Sequence, residues 1–213
     1  MNVIGINGSP RKGWNTDLMV REALKGAESK GAQTELVHLY DMRFSGCVSC
    51  FLCKKLDGPG VGRCAYKDEL TPLLDRIRTS NGLILGSPMY IGDVSASWRA
   101  LIERLSFPCV TYRKGGGTFF EGRLPILSLY TMNCPQEHMK KSYEPIFLHH
   151  KEMLTWFFGG PVTIYAVTDT LQADDYSKYE MSVFDEAARK KRREEVFPQE
   201  LKKAFDLGAE LLG

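Results

Sequence analysis

Three segments of this sequence hold residues whose types and spacing suit chemistry. Cys47-x2-Cys50-x2-Cys53 sets three thiols within seven residues, and Cys64 follows after the ten-residue stretch Lys54 to Arg63. Loop thiolates at that spacing can converge on one soft metal centre, with Cys64 as fourth ligand. The second segment, Gly8-Ser9-Pro10-Arg11-Lys12-Gly13-Trp14-Asn15-Thr16, combines small residues, hydroxyl and amide donors and two cations. That is the composition of an anion cradle, and phosphate is its natural guest. The third, Gly86-Ser87-Pro88-Met89-Tyr90-Ile91-Gly92, offers apolar surface and a polarizable thioether between turn residues. Taken singly, each loop also reads as an ordinary turn, the first capped by Asn15 or Thr16. Their joint presence favours a ligand.

Familiar phosphate loops are missing. The chain has no G-x-x-x-x-G-K-[ST], no G-x-G-x-x-G and no cysteine followed six positions later by arginine. This argues against a P-loop nucleotidase, a dinucleotide Rossmann site and a small tyrosine phosphatase. Lys+Arg total 28 against Asp+Glu 26, a net charge of +2, which is no global field for recruiting nucleic acid. There is no apolar run long enough for a membrane span and no leader-like start, so a cytoplasmic protein touching neither membrane nor nucleic acid is expected. In such a chain the six cysteines read as thiols, metal ligands or redox groups before structural disulfides.

Strands and helices alternate around these segments. Val3 to Ile6 is a short apolar run suited to a central parallel strand, and Asn15 to Lys30 carries a helical stripe through Met19, Val20, Ala23, Leu24 and Ala27 that Gly31 ends. Thr34 to Leu39 is the second strand. Leu70, Leu73, Leu74 and Ile77 fall at helical spacing, Leu83 to Leu85 follows as strand, and Trp98, Leu101, Ile102 and Leu105 form another stripe. Pro125 to Tyr130 and Val162 to Val167 complete five strands, with helices over Tyr143 to Phe158 and around Leu201 to Leu212. The pattern predicts one doubly wound α/β domain over 1–213, a five-stranded parallel sheet with helices on both faces. Residues 43–66, with the cysteines, and 168–195, polar and charged, fit the alternation poorly and read as excursions from the sheet.

Gly8-Ser9-Pro10-Arg11-Lys12 with Asn15-Thr16, and Gly86 to Gly92 after the third strand, resemble the NADPH-dependent FMN reductase branch of the flavodoxin-like superfamily. The resemblance implies that Ser9, Arg11, Asn15 and Thr16 contact an FMN phosphate. It also implies that Pro88, Met89, Tyr90 and Gly92 lie along the isoalloxazine, with Thr131 in the third wall. Iron-sulfur flavoproteins of the same family are similar too, through a compact run of cysteines after the second strand; here the last interval is longer. Cys47, Cys50, Cys53 and Cys64 are therefore candidate ligands of a 4Fe-4S cluster, with structural zinc or free, reversibly oxidised thiols as alternatives. Cys109 and Cys134 read as core residues.

The implied function is an FMN-dependent oxidoreductase that passes electrons from NADPH or NADH to a second acceptor, a small molecule or a redox protein. Alternatives are an electron carrier holding FMN and a 4Fe-4S cluster, and a flavin and thiol sensor without catalysis. A homodimer or homotetramer is expected from the resemblance. No side chain is required as acid or base, because the flavin carries the chemistry. Three further features carry smaller expectations: Arg189 to Arg193 as a solvated helical face, His149-His150 at the surface or an interface, and Gly115-Gly116-Gly117 as a flexible loop.

Overall fold

The computed structural model describes residues 1–58 and 60–213, so Pro59 in the Gly58-Pro59-Gly60 run lies outside the described residues. Strands β1 (Asn2–Asn7), β2 (Gln33–His38), β3 (Gly82–Tyr90), β5 (Leu124–Thr131) and β6 (Gly159–Val167) form a parallel sheet in the order β2-β1-β3-β5-β6. A short β4 (Asp93–Val94) adds to β3 antiparallel, through Met89 opposite Val94 and Tyr90 opposite Asp93. The five parallel strands are those expected, and β4 is an antiparallel addition of two residues, too short to carry a periodicity from which to read it.

The sheet is covered on both faces, and its central strands are buried along most of their length with apolar residues at most positions. On one side α1 (Asn15–Ser29) lays Met19, Val20, Ala23 and Leu24 on β1, β3 and β5, backed by α7 (Phe197–Glu210). These two helices meet backbone to backbone: a Cβ on Gly208 would lie 1.9 Å from the Ala23 carbonyl oxygen. Glycine permits that approach. On the other side α2 (Leu70–Thr79), α3 (Ala96–Ser106) and α5 (Glu144–Phe158) bury Leu73, Ile77, Trp98, Leu101, Phe147 and Phe158.

One helix was not expected, and a second runs beyond the helical face read at Arg189 to Arg193. A short α4 (Gln136–Ser142) precedes α5 with Tyr143 as the joint, and α6 (Glu186–Glu195) lies inside the stretch read as an excursion. Asp185 caps α6 by accepting from the Ala188 N–H at 3.0 Å. Between β6 and α6 the chain is irregular and packs Leu171, Ala173 and Tyr176 into a small cluster of its own. Among the described residues no helix is long and apolar enough to cross a membrane.

Candidate functional site

In a doubly wound sheet the loops at the carboxyl ends of neighbouring strands converge, and the helices that follow point their N-termini at the same crevice. Here the loop after β1 and the carboxyl-terminal ends of β3 and β5 do so; Gly86 to Tyr90, read from the sequence as a loop, extends β3 instead, and only Ile91 and Gly92 form a turn. Ser9, Arg11, Asn15, Thr16, Pro88, Met89, Tyr90 and Thr131 all line one cleft, joined by Trp14, Met132, Asn133, Thr170 and Gln172. It encloses about 490 Å³ including its open mouth. Gly92 lies apart from that lining. With φ of +49° at Ile91 and +88° at Gly92, the pair forms the tight turn of the β3–β4 hairpin.

The first loop is held in shape by its own polar groups. Ser9 N–H donates to Asn7 Oδ1 at 3.0 Å, Arg11 N–H to Ser9 Oγ at 3.1 Å, and Gly13 N–H to Asp17 Oδ2 at 2.7 Å. Asp17 is fully buried and also accepts from Arg21 Nε at 2.9 Å. Behind it lies His38, whose pKa is lowered by burial against the opposing pull of Asp17. Trp14, not Asn15 or Thr16, occupies the cap position of α1, and no side chain caps that helix. The first N–H groups of α1 and its positive dipole end are thus left for a ligand at the cleft.

Further bonds lock the walls together. Gly8 N–H donates to Gly86 O at 2.8 Å and Ser95 Oγ to Gly8 O at 2.6 Å, coupling the β1 loop to β3 and to the start of α3. A Cβ on Gly8 would stand 2.8 Å from Gly86 O, so glycine is required there. Thr16 Oγ1 and Thr131 Oγ1 share a hydrogen bond of 2.8 Å across the floor. The stretch after β6 closes one side: Arg11 donates to Gln172 O at 2.6 Å, Asn15 to Leu171 O at 2.9 Å, and Asn133 Nδ2 to Gln172 Oε1 at 2.7 Å.

Two expectations about charged residues need correction. Arg189 bonds Asp169 Oδ1 at 2.5 Å and Asn133 O at 3.1 Å, and Arg193 bonds Asn15 Oδ1 at 2.5 Å, so the basic run is not simply a solvated face. Only Lys190 and Lys191 point outward. His149 is exposed, as expected, whereas His150 is buried between Trp98 and Tyr130. Arg99, which can only donate, faces His150 Nε2 at 3.4 Å, so the proton sits on Nδ1 and is directed at Tyr130 Oη, 3.1 Å away. Burial, reinforced by Arg99, lowers the His150 pKa to about 4. Arg99 in turn pairs with Asp93 at 2.7 Å, tying this buried chain to the hairpin that carries Met89 and Tyr90.

The cysteines form a second site. Cys47, Cys50, Cys53 and Cys64 line one mostly apolar chamber with Val48, Phe51, Tyr66, Arg104, Phe107 and Pro108. Ser49 and Phe51, on either side of Cys50, have left-handed backbones with φ of 54° and 57°. Left-handed residues of this kind are a component of the backbone nests found around phosphates and iron-sulfur clusters. Lys54 closes the chamber's edge by donating to Phe107 O, Pro108 O and Val110 O at 2.6, 2.9 and 2.6 Å. Burial raises the Cys53 thiol's pKa, with Lys54 opposing. Among the described residues no three His, Cys, Asp or Glu side chains converge tightly enough to grip a single ion. Cys109 is buried outside the chamber and Cys134 half-buried, while Gly115 to Gly117 are exposed and line neither site.

With both sites described, comparison with known proteins decides the family. Residues 1–127, containing β1 through β5's first half, match the model of the NADPH-dependent FMN reductases. The chain belongs to the NADPH-dependent FMN reductase family. Relatives include an iron-sulfur flavoprotein of Methanocaldococcus jannaschii, 41% identical over 104 residues that cover 49% of this chain and 51% of the relative. Another is the iron-sulfur flavoprotein of Methanosarcina thermophila, 31% identical over 104 residues, covering 49% and 52%. The matched region thus spans about half the length of these relatives. Among solved structures, an NAD(P)H:quinone oxidoreductase from Methanothermobacter marburgensis is similar with a TM-score of 0.73 at 14% identity, covering 99% of this chain and 98% of that one. An FMN-dependent NADH-azoreductase from Bacillus anthracis, solved in complex with FMN, gives 0.64 at 13% identity over 100% of both. At these identities the likeness is one of fold, and that fold is flavodoxin-like.

Proposed function

We propose that this chain is an FMN-dependent oxidoreductase that takes electrons from NADPH or NADH and passes them to a second acceptor, a small molecule such as a flavin or quinone, or a redox protein. The observation that carries this reading is the convergence of the β1–α1 loop and the ends of β3 and β5 on one cleft whose polar end is an uncapped helix start. FMN bound there would supply the hydride-accepting and electron-releasing chemistry. The chain's residues do the rest. Ser9, Thr16 and the first N–H groups of α1 replace water around a phosphate, with Arg11 and Asn15 at its flank, which makes a dianion tolerable in a part-buried site. Pro88, Met89 and Tyr90 supply apolar surface for a ring, and Thr131 to Asn133 line the same cleft. Family members' usual assembly favours a homodimer or homotetramer here.

A second reading has its own observation. Four thiols around one chamber, flanked by left-handed backbone and a buried cation, suit a 4Fe-4S cluster, in which each iron takes one thiolate. Cys47, Cys50, Cys53 and Cys64 would hold it, and it would add one-electron transfer. The chain would then exchange electrons with redox proteins as well. Cysteines left free and reversibly oxidised would instead make the chamber a sensor.

The test of the cleft is direct. Replacing Ser9 and Thr16 together by Ala should yield folded, colourless protein whose FMN content falls at least tenfold and which no longer oxidises NADPH. Full flavin retention in that variant would remove the phosphate assignment.

A further inference from the structure

The stretch between Cys53 and Cys64 raises a positional problem. Three cysteines sit on one tight turn, but the fourth arrives after a ten-residue stretch with glycines at 58, 60 and 62, and a glycine-rich segment of that length does not aim a side chain. In the folded chain Gly62 N–H donates to Cys53 O at 3.0 Å, which brings the end of the stretch back beside the turn. What then orients Cys64 is Arg104. Its Nε donates to Cys64 Sγ at 3.2 Å. Its remaining donors reach Asp68 Oδ2 at 2.5 Å, Ser45 O at 3.2 Å, Tyr66 O at 2.9 Å and Thr71 Oγ1 at 3.3 Å.

We infer that Arg104 is the positioning residue that places Cys64 in the thiol chamber and holds the positive end of an N–H···S bond against any cluster bound there. This rests on the cluster reading above. The guanidinium is 1% exposed and rides on α3, a rigid element of the core. Its fork spans both flanks of the cysteine loop, Ser45 before Cys47 and Tyr66 after Cys64, so a single side chain closes the loop around the chamber. The preceding residue on α3 works with it: Glu103 Oε2 accepts from the Cys47 N–H at 3.1 Å. Consecutive helical residues thus hold the first and fourth cysteines. A lysine cannot reproduce this, because an ammonium lacks the planar fork needed to bond sulfur, carboxylate and two carbonyls at once. Hydrogen bonds to cluster sulfurs and nearby charge set the reduction potential. Losing this N–H donor therefore disfavours the reduced, more negative state.

The experiment uses the full chain, purified without air and reconstituted with ferrous iron and sulfide. Iron per chain, the low-temperature electron paramagnetic resonance spectrum after dithionite, the midpoint potential and FMN content are read for the wild type, Arg104→Lys, Arg104→Gln and Cys64→Ser. The wild type should hold about four irons. Arg104→Gln should keep FMN, lose at least half of the iron and give the same spectrum as Cys64→Ser. Arg104→Lys should keep its iron, with the reduced-to-oxidised ratio at fixed potential down about tenfold, a negative shift of about 59 mV for a one-electron couple. Wild-type iron content, spectrum and potential in both Arg104 variants would overturn the inference and leave the cluster standing. Should Arg104→Gln lose FMN as well, Arg104→Lys decides, and an unshifted potential overturns it. A wild type that takes up no iron defeats the cluster reading itself, a result visible without any variant.

Discussion

The cleft and the cysteine chamber lie at opposite ends of α3, and they are built in opposite ways. Around the cleft, position follows from backbone: parallel strands in register, Gly8 paired to Gly86, a helix start left open. Around the chamber there is almost no regular structure between β2 and α2, and position follows from two cations, Arg104 and Lys54, that reach out to carbonyls and carboxylates. A backbone-built site shares the stability of the sheet. A site pinned by side chains can loosen while the sheet stays folded.

The sharpest way to break this contrast is to remove the carboxylate beneath the chamber. Burial would raise the Asp68 pKa, but the Arg104 hydrogen bond and charge and two backbone N–H groups together hold it below the ordinary value. Asp68→Ala strands a guanidinium that is 1% exposed, and an unpaired buried charge costs about 3–5 kcal/mol. Hydrogen exchange across residues 43–66 should accelerate, global stability should fall, and the flavin should stay bound. Flavin loss in step with loop opening would show that the two sites are one cooperative unit. Replacing both partners, Asp68→Ala with Arg104→Met, should recover much of the loss, since no lone charge is left inside.

Acid probes the buried packing that braces the β3–β4 hairpin. His150 is neutral in the folded chain with a pKa near 4, against an ordinary value of 6.5. As pH falls, the unfolded chain takes up that proton first, so stability is whole above about pH 6.5, declines below it and levels off near pH 4. The gap corresponds to roughly 3 kcal/mol at its fullest. Protonation also sets His150 against Arg99, which braces Asp93 and the hairpin of the cleft. His150→Gln should be less stable than the wild type at about pH 7, and that deficit should shrink steadily by about pH 4. A deficit unchanged across that window would mean His150 carries no proton-linked strain.

What the sequence made legible divides along the same line. The helix over Asn15–Ser29 and the strands at Val3, Leu83 and Ile126 announce themselves by periodicity, and once the strands are ordered the segments bearing Ser9, Thr16, Met89 and Thr131 must meet. Thr170 and Gln172 share the cleft, yet they come from a polar stretch with no period, where only tertiary packing brings them back. Asp17 looks like an ordinary acid in a first helical turn; its burial under the loop is set by Asn7 and Gly13. Arg104 resembles a solvent cation on an amphipathic helix, because Asp68 lies 36 residues away and nothing local marks the pair. His150, one of two adjacent histidines, gives no hint of which faces inward until α5 is docked.

The smallest test concerns a single dihedral in the cleft. Gly13 sits at φ +73° with no heavy atom within 4 Å of where a Cβ would go, and its N–H donates to Asp17. Gly13→Ala adds no clash and removes no hydrogen bond, so its cost is the left-handed backbone alone, about 1 kcal/mol. That corresponds to roughly 2–4 °C in Tm for a chain of this size. If backbone conformation is what shapes the β1–α1 loop, and that loop holds the FMN phosphate as proposed, FMN affinity should weaken by a comparable factor, about fivefold, because the loop relaxes away from the strained angle and its donors spread. Gly116→Ala supplies the control: it has the same φ of +73° and equally open surroundings, but does not line the cleft. It should lower Tm to a similar degree and leave FMN affinity untouched. Equal flavin binding in both variants would mean that side chains, not the backbone, hold the cleft loop in shape, and the contrast between the two sites would lose its basis.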